Sequence, residues 1–232
     1  MFFYDPFYLL FMVPAFLLVF IAQVRVSRAY SKWGRVPNSR SMTGADAAKR
    51  LLAYGGMGDV RLEGTRGQLT DHYDPRSNTL RLSAGVAQAP SVAALAISAH
   101  EIGHALQDRE GYFPLRLRAA LIPAANIGSY LGWILIMLGL FLRMVPIAWL
   151  GVGAFGLGGV FALATLPVEF NASARARRLL VESGMLSSDE ETRGVNAVLD
   201  AAALTYVAAL ATAVLQLLYY VLLIGGLGRR RN

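Results

Sequence analysis

The chain has 232 residues, 55% of them hydrophobic, and a mean hydropathy of +0.45, which is too apolar for an ordinary water-soluble protein of this length. It has no cysteine, which excludes a disulfide framework, a thiolate nucleophile and thiolate metal ligands; a metal would have to be held by histidine and carboxylate. The net charge of +7 could suggest nucleic acid, but the basic residues sit mainly beside apolar stretches, with no interleaving of basic and aromatic residues. A lipid bilayer is therefore the expected partner of that charge, and nucleic acid is not.

In chain order, the first element is an apolar run from Phe7 to Val24, interrupted only by Pro14 and just long enough to cross a bilayer; a first span is expected over residues 5–25. With no basic residue before it and no small-residue cleavage site after it, it reads as a retained anchor. Arg25, Arg28, Lys32, Arg35 and Arg40 follow at once, which by the positive-inside rule puts this end of the span in the cytoplasm.

Residues 26–120 are expected to form the catalytic segment. Thr43, with Asp46 three residues on, predicts a helix start, and Gly55 with Gly56 predicts its end after Tyr54. Short alternating runs at Val60–Glu63, Gln68–Tyr73 and Thr79–Ser83, the last two separated by the turn residues Asp74 to Asn78, predict a small antiparallel sheet. Pro90 and the N-cap Ser91 then open a helix reading SVAALAISAHEIGHALQDR.

That helix carries His100, Glu101 and His104. Four residues make about 400° of helical turn and roughly 6 Å of rise, so the two imidazoles share a face at a spacing that one tetrahedral metal can bridge. Glu101 follows one ligand directly, where its carboxylate can reach a water on the metal and act as general base. Ser98, Ala99, Ile102, Gly103, Ala105 and Leu106 leave no competing charge nearby.

Further spans are expected at 121–142 and 145–168, joined by a short link with Arg143 and Pro146, and at 201–227, with a polar helical segment over 169–200 between the last two. Threading four spans puts most basic residues on the side of the catalytic segment, which predicts a cytoplasmic site, although the terminal cluster Arg229, Arg230 and Arg231 argues the other way. Tyr4, Tyr8, Trp149, Tyr219 and Tyr220, near span ends, read as membrane-interface residues.

A catalytic zinc site needs a third protein ligand and one open position. No histidine follows His104, which favours a glutamate, and Glu169 is the only acidic residue between Glu110 and Glu182. Asn171 and Ser173 could support the ligands or cap locally. His72 or Tyr73 could stabilise an oxyanion, with turn-shaping by Asp71 and Asp74 as the alternative; Tyr206 is a second oxyanion candidate, otherwise a packing residue. Thr79, Leu80, Arg81, Leu82 and Ser83 would offer an edge strand to an extended peptide.

The stretches LTDHYDP at Leu69–Pro75, LRLS at Leu80–Ser83, AHEIGHALQ at Ala99–Gln107, LPVEFNAS at Leu166–Ser173 and LDAAALTYVA at Leu199–Ala208 together resemble the bacterial membrane zinc metallopeptidases of the YugP type, the neutral zinc metallopeptidase 2 family. More distantly they are similar to the prenyl-protein and heat-shock membrane peptidases. Where those distant relatives have an aspartate four residues after the ligand glutamate, this chain has Ser173.

The resulting expectation is a mainly α membrane protein with about four spans and a small α+β gluzincin-like zinc peptidase domain. One Zn2+ per chain would sit on His100, His104 and Glu169 at the bacterial inner membrane, and the substrate would be a polypeptide. The competing readings are a zinc-binding scaffold without turnover and a site-2-type protease with its metal helix inside the bilayer.

Overall fold

The computed structural model describes residues 6–229. Its elements, in order, are α1 (Pro6–Trp33), α2 (Gly44–Tyr54), β1 (Arg61–Thr65), β2 (His72–Asp74), β3 (Thr79–Ser83), α3 (Ala84–Ala87), α4 (Val92–Arg109), α5 (Phe113–Phe141), α6 (Val145–Glu182) and α7 (Asp189–Arg229). The protein is thus mainly helical, with one small sheet. Tyr4 and the terminal residues 230–232 lie outside the described part.

Among the described residues, four helices, α1, α5, α6 and α7, are long and apolar enough to cross a membrane. Each runs past the apolar stretch that announced it: α1 continues through its basic end to Trp33, and α6 and α7 carry their helices through most of the polar segment expected at 169–200. The reason is local. Ser188 and Glu191 form a capping box, the Glu191 N–H donating to Ser188 Oγ at 3.2 Å. The Glu191 carboxylate also accepts the main-chain N–H groups of Ser187, Ser188 and, across the fold, Ser39. The start of α7 is therefore fixed by polar contacts well before its apolar part begins.

Contacts divide the chain into two compact units. One comprises residues 1–22, 116–167 and 205–232, the other residues 23–115 and 168–204. In the first, α5 and α6 meet along glycine and alanine. A Cβ on Gly132 would stand 2.7 Å from the carbonyl oxygen of Gly151, so the two backbones come too close for any side chain there. A buried cluster of Met12, Ile136, Ala148, Val152, Tyr219, Tyr220 and Ile224 completes this unit. Tyr219 and Tyr220 are core residues, not interface anchors: Tyr219 packs edge-on against Tyr8 with ring centroids 5.2 Å apart, and Tyr220 packs on Phe155 at 5.4 Å. Trp149, in contrast, is exposed.

The second unit is built around α4. Thr43 caps α2 through its hydroxyl, which accepts the Asp46 N–H at 3.1 Å, and Ser91 caps α4 by accepting the Ala94 N–H at 3.2 Å. Small residues on α4 (Ala93, Ala94, Ala96, Ala99, Ala105) let its neighbours come close: Leu51 of α2, Leu80 and Leu82 of β3, Leu180 of α6 and Leu199 of α7 are all buried against this cluster. At about 1.5–3 kcal/mol for each fully buried large aliphatic side chain, this core anchors the unit.

The sheet differs from the expected one. Its order is β1-β3-β2, with β1 parallel and β2 antiparallel to β3. Thr79–Ser83 is therefore the central strand, paired with β1 along its length and with β2 at Thr79–Arg81, and not the edge strand expected to receive a peptide. The expected strand Gln68–Tyr73 shrinks to His72–Asp74 because the chain first turns: Gly67 and Leu69 take positive φ angles (103° and 53°), and the Thr70 hydroxyl donates to the Arg66 carbonyl at 2.9 Å. That detour carries β2 to the far side of β3, next to α4.

Candidate metal centre

On α4, His100 and His104 present their rings to the same side, with centroids 4.9 Å apart and planes at 84°. Glu169 of α6 meets them: its Oε2 lies 3.3 Å from His100 Nε2 and 3.4 Å from His104 Nε2. What brings α6 so near is Gly103. A Cβ there would stand 2.5 Å from the carbonyl oxygen of Ala172, a backbone atom that cannot swing aside. The glycine between the two histidines is therefore what lets the third side chain reach them.

Both imidazoles are held from behind. His104 Nδ1 is 3.0 Å from Gln107 Oε1, and the Gln107 amide nitrogen donates to the Val168 carbonyl at 2.8 Å and to Asn171 Oδ1 at 3.0 Å. Asn171 Oδ1 also accepts from Arg175 Nε at 2.7 Å. Ser173 Oγ lies 3.2 Å from His100 Nδ1. Ser173 thus touches one candidate ligand, and Asn171 is one bond removed from the other. Gln107 was missed, although its position three residues after His104, on the same helical face, was a usable signal.

Glu101 is turned toward the sheet. Its Oε2 accepts the main-chain N–H of Tyr73 at 3.1 Å, so the short strand β2 holds the carboxylate in place. Burial pushes the Glu101 carboxyl above the ordinary glutamate range, only partly countered by the two histidines. Burial also works against a charge on His104, but the Glu169 and Glu101 carboxylates outweigh it and raise that ring's pKa. The pocket favours positive charge at its centre.

His72 is not among the converging groups. Its ring is exposed, with Nδ1 2.8 Å from the Thr70 carbonyl oxygen, and the alternation of β2 puts its side chain on the face opposite Tyr73. The Tyr73 hydroxyl bonds to Asn78 Oδ1 and Asp108 Oδ2, each at 3.0 Å. Asp74 shapes the hairpin by accepting from Arg76 N, Ser77 Oγ and Arg81 Nη1, whereas Asp71 reaches across to the N–H and hydroxyl of Ser83. Tyr206 belongs to the other unit and lines a cavity of about 480 Å³ there, together with Arg118, Thr165 and Gln216.

The donor set fits a divalent metal. One ligand atom from each of His100, His104 and Glu169 lies within 4.8 Å of the other two, and Glu169 is 1% exposed, a burial that a carboxylate tolerates only beside compensating positive charge. Two imidazole nitrogens and a carboxylate oxygen suit zinc, and three protein donors are one short of the four that a tetrahedral zinc takes.

Residues 8–225 match the protein family described as "Putative neutral zinc metallopeptidase". The chain is also 42% identical over 211 residues to the Bacillus subtilis (strain 168) protein named "Putative membrane protease YugP", an alignment covering 91% of this chain and 93% of that protein. No solved structure matches it. On these two likenesses, each spanning nearly its whole length, the chain belongs to the neutral zinc metallopeptidase family.

Proposed function

We propose that this protein is a membrane-embedded zinc endopeptidase of the glutamate-liganded, gluzincin-like type, with one zinc on His100, His104 and Glu169 and with Glu101 as its general base. The observation that carries the reading is the convergence of Glu169 Oε2 on both histidine Nε2 atoms, 3.3 and 3.4 Å away, from a helix more than sixty residues further along the chain. When bound there, zinc would act as a Lewis acid, making a water acidic and polarising an amide carbonyl.

The chain's own residues do the rest. Glu101 keeps Oε2 on the Tyr73 N–H, which leaves Oε1 to take the proton of the attacking water and pass it to the leaving amine. Burial, which pushes its carboxyl above the ordinary glutamate range, suits a group that must accept and then release a proton. An extended substrate would approach along the outer side of the sheet, because β3 is already paired on both sides. His72, exposed on the face of β2 opposite Tyr73, is not favoured for the oxyanion role.

The substrate class is polypeptide, in extended or unfolded segments at the cytoplasmic face of the bacterial inner membrane. Support for that side comes from the basic residues that follow the first span. A phosphatase reporter fused after Asn232 should then be active outside the cytoplasm; a cytoplasmic C-terminus would break the four-span threading. Against an intramembrane protease stands α4 itself, which is not among the four helices long and apolar enough to cross a bilayer.

The test is a pair of variants of the full chain in detergent. Glu101→Gln should keep one zinc per chain and lose cleavage of an unfolded polypeptide by on the order of 10²–10⁴-fold. Glu169→Ala should lose the zinc itself. Full activity in either removes that residue from its role, and stoichiometric zinc with no cleavage of any unfolded substrate by the wild type would favour the scaffold.

A further inference from the structure

The Gln107 side chain is fully buried, 0% exposed, and every polar contact it makes has a fixed direction. The Val168 carbonyl oxygen, 2.8 Å away, can only accept, so the atom facing it must be the Gln107 amide nitrogen. The second hydrogen on that nitrogen goes to Asn171 Oδ1, whose identity as the oxygen is in turn fixed by Arg175 Nε, a group that can only donate. With both donors committed, the atom 3.0 Å from His104 Nδ1 is Gln107 Oε1, an acceptor only.

We infer that Gln107 is a positioning residue which fixes His104 in the tautomer with hydrogen on Nδ1 and a bare lone pair on Nε2, the atom that faces Glu169 and His100. The frame behind it runs from Gln107 through Asn171 to Arg175, and Arg175 is itself anchored by Glu110 Oε2 at 2.7 Å. His100 has no such constraint. Its Nδ1 faces the Ser173 hydroxyl at 3.2 Å, which can donate or accept, so either tautomer is satisfied there. The two imidazoles are therefore unequal: the protein fixes the tautomer of His104 and leaves that of His100 to the cation.

This assignment rests on the zinc reading above and is tested on metal affinity rather than turnover, by chelator competition on the full chain in detergent. Gln107→Met, similar in size but without the acceptor, should weaken zinc binding by about 10–100-fold. Ser173→Ala, which removes a partner that does not fix the His100 tautomer, should weaken zinc less than Gln107→Met. A packing role predicts near-wild-type affinity in Gln107→Met, since methionine fits a dry site.

Wild-type affinity in Gln107→Met, or Ser173→Ala binding as weakly as Gln107→Met, overturns the inference while leaving the zinc site standing; a wild-type chain that binds no zinc overturns both. Should Gln107→Met fail to fold, the zinc-loaded wild type labelled with ¹⁵N in its three histidines decides the matter. It should show a slowly exchanging ring N–H that survives Ser173→Ala and disappears in Gln107→Met. Absence of that signal in the wild type also overturns the inference.

Discussion

The two compact units use small residues for different ends. Along α5 and α6, Gly132 and Gly151 bring two apolar helices into backbone contact, in a setting where lipid tails are as apolar as side chains and close packing is what holds helices together. Between α4 and α6, Gly103 does the same with the Ala172 carbonyl, but what it brings together is polar: a buried carboxylate and two imidazoles, the rings held from behind by an amide and a hydroxyl. In the first unit close approach produces stability, and in the second it produces a site. The same substitution should therefore fail in two different ways.

The larger effect is expected at Gly103. In Gly103→Ala the new methyl meets a backbone oxygen at 2.5 Å, so α6 must move away from α4 and take Glu169 with it. Zinc affinity should fall by about 10–100-fold, the scale seen when supporting groups of a metal site are disturbed, with a smaller change in the melting temperature of the metal-free protein. Unchanged zinc affinity, measured by chelator competition, would break the comparison.

Gly132→Ala is its counterpart. The overpacked seam should cost about 1–3 kcal/mol, read as a lower melting temperature in detergent, while zinc affinity stays at the wild-type value. If this variant loses zinc as readily as Gly103→Ala, the two units do not answer separately and the division of labour is wrong.

What could be read from the sequence follows the same line. The four apolar helices were legible from composition, and the paired histidines from a spacing within one helix, because both are local properties. Glu169 was reached by elimination only, since nothing in its own surroundings announces that α6 passes Gly103. Gln107 was passed over because an amide becomes informative only once its partners on α6 are known. The sheet was misread because the pairing of β1 with β3 is parallel and bridges a detour whose turn depends on positive φ at Gly67 and Leu69. Tyr219 and Tyr220 were misassigned for a related reason: within an apolar helix, periodicity does not separate the face that meets lipid from the face that meets another helix.

The smallest effect concerns acid and sharpens the contrast, because among the described ionisable groups it belongs to the polar unit. Asp74 is held well below the usual carboxylate range, at about 2, first by the Ser77 hydroxyl and then by the Arg81 guanidinium 3.0 Å away. A carboxyl whose pKa is depressed on folding contributes stability that is present above the unfolded value, near 4, and is lost as pH falls through the folded value near 2. In the zinc-free protein, Asp74→Asn should therefore melt slightly below wild type at pH 5, and the gap should close as the pH approaches 2. Because β2 presents the Tyr73 N–H to Glu101, the same variant at neutral pH should lower turnover only modestly and leave zinc affinity unchanged. A gap that stays constant from pH 5 to pH 2 would mean that the Ser77 and Arg81 contacts do not stabilise the hairpin, and that β2 is held in place by its pairing with β3 and the packing of Tyr73 alone.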